Sequence, residues 1–179
     1  IFVMKRILIF LFLLNILVLY SQEKGIILEN TGNVYRVDNP DLEFEKNKEY
    51  KVIFDVYTDS PNIDMDNPML KTVARYLQIH TQYGIPRENL KIAVIIHGLA
   101  SKNVLSDEAY KKEFKVKNPN TNLIKALKDN DIEIFVCGQS YAGKGYEAKD
   151  KSPHVKMALS AMTALVWYQT AGYQIINFN

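Results

Sequence analysis

The sequence predicts an α/β protein with a mainly parallel sheet of about five strands and helices on both faces. Short apolar runs alternate with segments of helical periodicity, which is the pattern of repeated strand–helix units. Two of these runs, KIAVIIH at residues 91–97 and IEIFVC at residues 132–137, are almost continuously apolar. Strands that are covered on both faces of a parallel sheet have this composition.

Five apolar runs after residue 49 have the composition of strands. Each is rich in β-branched or aromatic residues and is bounded by turn-forming residues. We expect the sheet strands at residues 50–57, 91–97, 132–137, 155–159 and 173–178. Because helical segments separate them, right-handed crossovers would connect these strands in parallel.

The segments between the strands carry helix signals. Asn67 is expected to cap the first helix and Pro68 to occupy its first turn, while Gly84 ends it. Four residues then share one buried face at helical spacing: Met69, Val73, Leu77 and His80. Further helices are expected at residues 103–114, 118–130 and 161–170, with one or two helical turns at residues 139–146.

The chain divides into three parts by composition. Residues 4–6 (MKR) precede an apolar run at residues 7–20, which is typical of a secretory signal peptide. We expect residues 1–21 to be a signal peptide with upstream residues, residues 22–49 a lead-in arm, and residues 50–179 the α/β domain. The protein would then be exported to the periplasm or outside the cell, with no stable membrane insertion after cleavage. A retained membrane anchor is the alternative, although the run is shorter than the roughly 20 residues of a spanning helix.

Charge and cysteine content narrow the functional classes. The formal net charge is +2, and acidic and basic residues are interspersed. Because the sequence has no dense basic patch, we expect no nucleic-acid partner. Cys137 is the only cysteine, so it is a reactive thiol, an intermolecular bridge or an inert core residue. Three histidines and one cysteine without close ligand spacing do not predict a metal site, and we expect no cofactor.

Residues 138–145 (GQSYAGKG) nearly match the phosphate-binding loop G-x-x-x-x-G-K-[ST]. A strand precedes them, as the loop requires, but Gly145 replaces the hydroxyl residue that would bind Mg²⁺. The following segment is polar and leads into Pro153, so no long apolar helix follows. We therefore do not expect a nucleotide site.

The same stretch is one glycine short of the nucleophile elbow G-x-S-x-G, with Ser140 at the nucleophile position. The pair His97–Gly98 is similar to the HG oxyanion motif of lipases. The general base would have to be a histidine after the nucleophile, and His154 is the only one. A serine hydrolase is therefore a weaker hypothesis than the two given at the end of this section.

Cys137 is the stronger candidate nucleophile. It ends one predicted strand just before a short helical segment, where backbone N–H groups stabilise a thiolate. His97 ends the preceding predicted strand, so both side chains would meet at the carboxyl edge of the sheet. The pocket there would also include Tyr57, Gly98, Gly138, Gln139, Ser140 and Ser160. Alternatively, Cys137 is a buried unreactive residue and His97 a structural one.

Three stretches resemble the DsrE/DsrF-like (YchN-like) family, and the expected signal peptide suggests an exported subgroup. They are KIAVIIHGLA, NLIKALKDNDIEIFVCGQSYAGKGY and VKMALSAMTALVWYQTAGYQIINF. The shared features are HG after one strand, CG after the next, a following K-G and a closing Q-x-x-G-Y. The resemblance covers residues 50–178.

This resemblance implies a three-layer α/β/α domain that assembles into trimers or hexamers. Some members relay sulfur as a persulfide in sulfur oxidation or tRNA thiolation, on a cysteine at the end of this same strand. Cys137 stands at the matching position and would be the sulfur carrier. The known relays work in the cytoplasm, whereas this chain is expected to be exported and has an additional arm.

Two hypotheses follow from the residues and the resemblance. In the first, Cys137 accepts sulfane sulfur and passes it to a thiol-bearing partner protein, with His97 orienting or deprotonating the thiol. In the second, the chain is a non-catalytic oligomeric protein with a small-ligand-binding or structural role. An exposed, low-pKa thiol favours the first hypothesis, and a buried, unreactive thiol favours the second.

Overall fold

The computed structural model describes residues 22–23, 31 and 34–178. The expected signal peptide at residues 1–21 lies outside the described residues. Among the helices of the described ranges, none combines the length and apolar character that a membrane crossing requires.

A five-stranded sheet forms the centre of the described structure. The strands in chain order are β1 (Gln22–Glu23), β2 (Val34–Tyr35), β3 (Tyr50–Val56), β4 (Leu90–Ile96), β5 (Glu133–Cys137), β6 (Lys156–Ala158) and β7 (Gln174–Ile176). The sheet has the order β6-β5-β4-β3-β7, and each neighbouring pair is parallel. Strands β1 and β2 form a separate short antiparallel pair in the arm. The prediction of a mainly parallel sheet of about five strands is confirmed.

Helices connect these strands. They are α1 (Pro68–Gln82), α2 (Asp107–Phe114), α3 (Thr121–Asp129), α4 (Gly138–Gly143) and α5 (Ala161–Thr170). Short 3₁₀ helices lie at Arg87–Asn89, Gly98–Val104 and Ala148–Asp150. The predicted caps explain two helix beginnings: the Asn67 side chain accepts the Met69 N–H, and the Ser160 side chain accepts the Thr163 N–H.

Two helices begin later than the sequence pattern predicts. The helix expected from residue 103 begins at Asp107, because the Ser106 side chain accepts the Ala109 N–H and residues Gly98–Val104 form a 3₁₀ helix. The helix expected from residue 118 begins at Thr121, because the Asn118 side chain accepts the Asn120 N–H and turns the chain first.

The two faces of the sheet are covered unequally. The larger core cluster joins β3, β4 and β5 to α1 and α3, with Tyr110 of α2 and Tyr141 of α4. On the opposite face, α5 contributes the helical residues that the described part of the chain gives to the smaller cluster, in which Ala161, Ala164 and Tyr168 accompany Ile53 and Ile95. This second face includes Cys137.

The lead-in arm contacts the carboxyl end of α1. The Tyr83 hydroxyl donates to the Val37 carbonyl and accepts from its N–H, and the Phe44 ring lies edge-on to His80 at 5.3 Å. Leu42, in contrast, is largely exposed. Residues 34–49 of the arm therefore lie against the domain, although they add no strand to its sheet.

Candidate functional site

The carboxyl ends of β3, β4 and β5 meet at one edge of the sheet. Val56 pairs with Ile96, and Ile96 pairs with Val136. The residues that follow these pairs are Tyr57, His97 and Cys137, which therefore occupy neighbouring positions at the edge. Since adjacent strands lie about 4.8 Å apart, His97 and Cys137 leave the sheet side by side.

Backbone N–H groups surround the Cys137 sulfur. The Ser140 N–H donates to Sγ at 3.4 Å, and the thiol also receives hydrogen bonds from the N–H groups of Gln139 and Ala161 and from the Ser140 hydroxyl. These groups come from the first turns of two helices, α4 and α5. Burial raises the pKa of the Cys137 thiol, but the hydrogen bonds outweigh it and leave that pKa below the ordinary value. The residue is 4% exposed.

Ser140 connects the thiol to the loop after β4. Its Oγ accepts the Gly98 N–H at 3.2 Å and donates to the Cys137 sulfur. Gly98 has a positive φ of 56°, and a Cβ there would lie 2.2 Å from the Tyr57 ring. A side chain at position 98 would therefore be strained and would displace Tyr57.

Gly138 and Ser160 allow the second helix N-terminus to reach the thiol. A Cβ on Gly138 would lie 2.9 Å from the Ala158 carbonyl oxygen, so only glycine permits this close approach to the end of β6. Ser160 caps α5 and thereby holds Ala161 beside Cys137. The side chain of Gln139 is exposed, and its contribution at the thiol is its N–H group.

His97 belongs to a second hydrogen-bond network. Its Nε2 lies 2.7 Å from Asp55 Oδ1, and the Asn177 amide donates to Asp55 Oδ2 at 2.9 Å. The sequence interpretation did not include Asp55 or Asn177. A lone carboxylate inside the apolar run YKVIFDVY was the available signal for Asp55, because a charge buried in a sheet needs partners.

The two alternative motifs adopt other structures. Residues 138–143 are helical from the first glycine, so no open phosphate loop forms at the end of β5. Within the described residues, no hydrogen bond joins Ser140 to His154, whose N–H instead donates to Ser152. In the same part of the chain, no group of three or more His, Cys, Asp or Glu side chains could hold a metal ion.

An apolar pocket of about 320 Å³ lies nearer the amino end of β5 than Cys137, between β6 and α5. Its lining residues are Glu133, Phe135, Ala158, Leu159, Thr163, Ala164, Trp167 and Tyr168. The predicted pocket residues are absent from this lining and lie at the sheet edge instead. Hydrogen bonding to Lys156 lowers the pKa of Glu133, and burial, together with the hydrogen bond to Glu133, raises the pKa of Tyr168.

The fold and site define a class of protein: a parallel α/β domain with one thiol at the carboxyl edge of its sheet. The chain belongs to the DsrE/DsrF-like family, whose model matches residues 51–178. The predicted family resemblance is thereby confirmed. Comparison with the curated proteins gives no significant match.

Two solved structures share the fold. One is a protein of unknown function from Methanobacterium thermoautotrophicum, with 16% sequence identity and a TM-score of 0.53. The other is the YchN protein from E. coli, with 12% identity and a TM-score of 0.53. Each alignment covers 72% of this chain and 99% of the other chain. At these identities the similarity establishes the fold alone.

Proposed function

We propose that this protein is a sulfur carrier that holds sulfane sulfur as a persulfide on Cys137. The observation that carries the proposal is the set of hydrogen bonds that the sulfur receives from Ser140, Ala161 and Gln139. The thiolate is the reactive form of cysteine, and N–H donors at two helix N-termini favour it over the thiol. Membership of the DsrE/DsrF-like family supports the same chemistry.

The transfer would proceed in two half-reactions without a net oxidant. In loading, the Cys137 thiolate attacks the outer sulfur of a persulfide or polysulfide, the donor S–S bond breaks, and the donor leaves as a thiolate. In unloading, a partner thiolate attacks the outer sulfur of Cys137–S–SH. The new S–S bond forms on the partner, and Cys137 leaves as a thiolate that the same N–H groups stabilise.

Intact mass spectrometry after polysulfide treatment and thiol alkylation tests loading. We expect an adduct of about 32 Da on Cys137, which is the mass of one added sulfur, and none in Cys137→Ser. Alkylation rates between about pH 5 and about pH 9 would show whether the thiolate persists below the ordinary range. Slow alkylation throughout, with no adduct, would exclude the carrier function.

A second candidate function is a non-catalytic role in ligand binding or structure. The burial of Cys137 favours it, because a 4% exposed residue restricts the access of a bulky donor. The two candidates differ in the reactivity of the folded protein. A thiol that reacts only after denaturation would establish the second candidate.

We also propose that the protein is exported and forms a homo-oligomer, a trimer or hexamer. The basic residues 4–6 and the apolar residues 7–20 support export. The exposed apolar side chains of α5 support association with other copies, since apolar patches of this kind are typical of interfaces. A thiol-bearing partner protein would then receive the sulfur in the same compartment.

A further inference from the structure

Four polar or nucleophilic side chains form a row across the carboxyl edge of the sheet. Asn177, Asp55, His97 and Cys137 lie on or directly after the neighbouring strands β7, β3, β4 and β5. Hydrogen bonds connect the first three of them, from Asn177 to Asp55 and between Asp55 and His97. Asp55 pairs in the β3–β4 register with Ile95, which belongs to the same core cluster as Cys137. The row therefore lies on the face that α5 covers.

The contacts divide this row into two units. The donors that stabilise the Cys137 sulfur are Ser140, Ala161 and Gln139, and His97 is not among them. His97 is instead held through Nε2 by Asp55, and no described residue hydrogen-bonds its Nδ1. The His97 side chain remains 22% exposed. Nδ1 is thus the ring nitrogen that is left to bond a molecule that approaches the edge.

We propose that His97 is the general base of the unloading half-reaction, with Asp55 and Asn177 as positioning residues. This inference rests on the proposed sulfur-carrier function and assigns the proton transfer within it. His97 Nδ1 takes the proton of the acceptor thiol, and the resulting thiolate attacks the outer sulfur of Cys137–S–SH. The Cys137 S–S bond breaks, the acceptor becomes a persulfide, and Cys137 leaves as a thiolate beside a protonated His97.

The assignment of Nδ1 follows from hydrogen-bond chemistry. A carboxylate oxygen can only accept, so the nitrogen that bonds Asp55, Nε2, is the protonated one. This leaves the lone pair of His97 on Nδ1. The Asn177 amide, in turn, fixes the second carboxylate oxygen and hence the orientation of Asp55. A base with an orienting carboxylate is the arrangement that nucleophilic enzymes use to hold one imidazole tautomer.

Loading does not need this base, because the hydrogen bonds to Cys137 already favour its thiolate. The acceptor brings a thiol that is mostly protonated near neutral pH, and its proton must be removed before attack. The base is therefore required for an acceptor that arrives as a thiol, but not for one that arrives already ionised. A variant that lacks the base should therefore be slow with a thiol acceptor only, whereas a variant that has lost its structure should be slow with both acceptors.

The test uses the whole protein, loaded with polysulfide and freed of excess reagent. Unloading is followed by mass spectrometry with N-acetylcysteine, a mostly protonated thiol, and with 2-nitro-5-thiobenzoate, which is ionised at neutral pH. The variants are His97→Gln and Asp55→Asn. Asp129→Asn, which makes the same chemical change at an exposed ion pair of α3, is the matched control.

We expect His97→Gln to slow unloading to N-acetylcysteine by about 100-fold and Asp55→Asn by about tenfold or more. With 2-nitro-5-thiobenzoate, the rates should fall by no more than about threefold. Equal losses with both acceptors, or no loss with either, would overturn the inference while leaving the carrier function intact. Failure of the unmodified protein to load at all would instead overturn the carrier function.

A spectroscopic readout tests the positioning role separately from the transfer rate. The ¹⁵N chemical shifts of the imidazole distinguish the two tautomers, and we expect Nε2–H in the unmodified protein. Asp55→Asn should abolish this preference, and Asn177→Ala should weaken it with a smaller loss in rate. If Asp55→Asn does not fold, Asn177→Ala still decides the point, because an unchanged tautomer and an unchanged rate would refute the positioning role.

Discussion

Opposing effects act on the Cys137 thiol. Burial raises its pKa, but hydrogen bonds from Ser140, Ala161 and Gln139 lower it further than burial raises it. The depressed pKa means that the thiolate persists at lower pH than in an ordinary cysteine. Its reactivity is then lost only as the pH falls through this lowered pKa. The Ser140 hydroxyl is the donor that a point substitution can remove without changing the backbone.

Ser140→Ala should raise the pKa of Cys137 and move its alkylation profile towards higher pH. A hydrogen bond to a charged group contributes about 1.5–3 kcal/mol, so alkylation near pH 6 should slow by about tenfold to about 150-fold. At alkaline pH the rates should converge, since both proteins are then ionised. Ser106→Ala, which removes the cap hydroxyl of α2, is the control. Identical profiles for Ser140→Ala and the unmodified protein would show that the backbone N–H groups alone set the pKa.

The individual site residues were predictable to different degrees. Cys137 and His97 follow apolar runs, so sequence order alone indicated that both stand at the same edge. The Asp55–Asn177 bond joins residues 122 positions apart, and only the pairing of β3 with β7 brings them together. No local pattern encodes such a pairing. The N–H group of Ala161 was likewise unpredictable, since its position depends on how α5 crosses the sheet.

Buried asparagines fix the beginnings of the helices on the larger face. Asn67 is fully buried; its side chain accepts the Met69 N–H and donates to the Thr58 carbonyl, and Asn120 accepts its backbone N–H. The Asn67 side chain thus connects the start of the loop after β3 with the first turn of α1, and its backbone N–H connects the same position to the Asn120 side chain before α3. Removal of the Asn67 side chain would break both of its hydrogen bonds, including the buried one from the Met69 N–H, which costs more than the loss of an exposed cap.

Asn67→Ala should therefore destabilise the fold by about 3 kcal/mol, whereas Ser106→Ala should cost about 1 kcal/mol. Urea denaturation of the two variants beside the unmodified protein measures the difference. Ser106 is the matched comparison because it caps α2 with a single hydrogen bond to Ala109. Equal destabilisation by the two substitutions would mean that water replaces the lost Asn67 contacts.

The elements themselves were mostly encoded locally. Continuous apolar runs predicted β4 and β5, and the Asn-Pro and Ser caps predicted the beginnings of α1 and α5. The late beginnings of α2 and α3 were not predictable from periodicity. The Ser106 and Asn118 side chains accept backbone N–H groups and so place the first helical turn after them. Side chains of this kind favour caps and turns over helix interiors, and tertiary contacts decide which of several candidate positions becomes the cap.

The whole domain is asymmetric about its sheet. Among the helices that the structure describes, α1, α2, α3 and α4 cover one face, whereas α5 packs on the other. Ile175 of β7 is 43% exposed, although its register partner Ile53 is completely buried. Helix α5 packs on the same face and has three exposed apolar side chains of its own: Met162, Val166 and Trp167. Exposed apolar side chains grouped on one helix are typical of interaction sites, which is the basis of the oligomer proposal.

The oligomer proposal predicts that charge on this surface separates the subunits. In the double variant Met162→Glu, Val166→Glu, two carboxylates one helical turn apart would have to be desolvated in the interface. We expect light scattering to give the mass of a trimer or hexamer for the unmodified protein and of a monomer for the variant. The subunit dissociation constant should rise by at least about 100-fold, because burial of unpaired charge costs several kcal/mol.

Met65→Glu is the matched control, since Met65 is a half-exposed methionine in the loop before α1. It changes the same residue type away from α5 and should leave the mass unchanged. A monomeric unmodified protein, or a variant that keeps its oligomeric mass, would contradict the proposal. Cys137 lies in the core cluster beneath α5, so the alkylation rate of the monomeric variant also reports on access to the thiol. A faster rate in the monomer would mean that neighbouring copies restrict which donors reach Cys137.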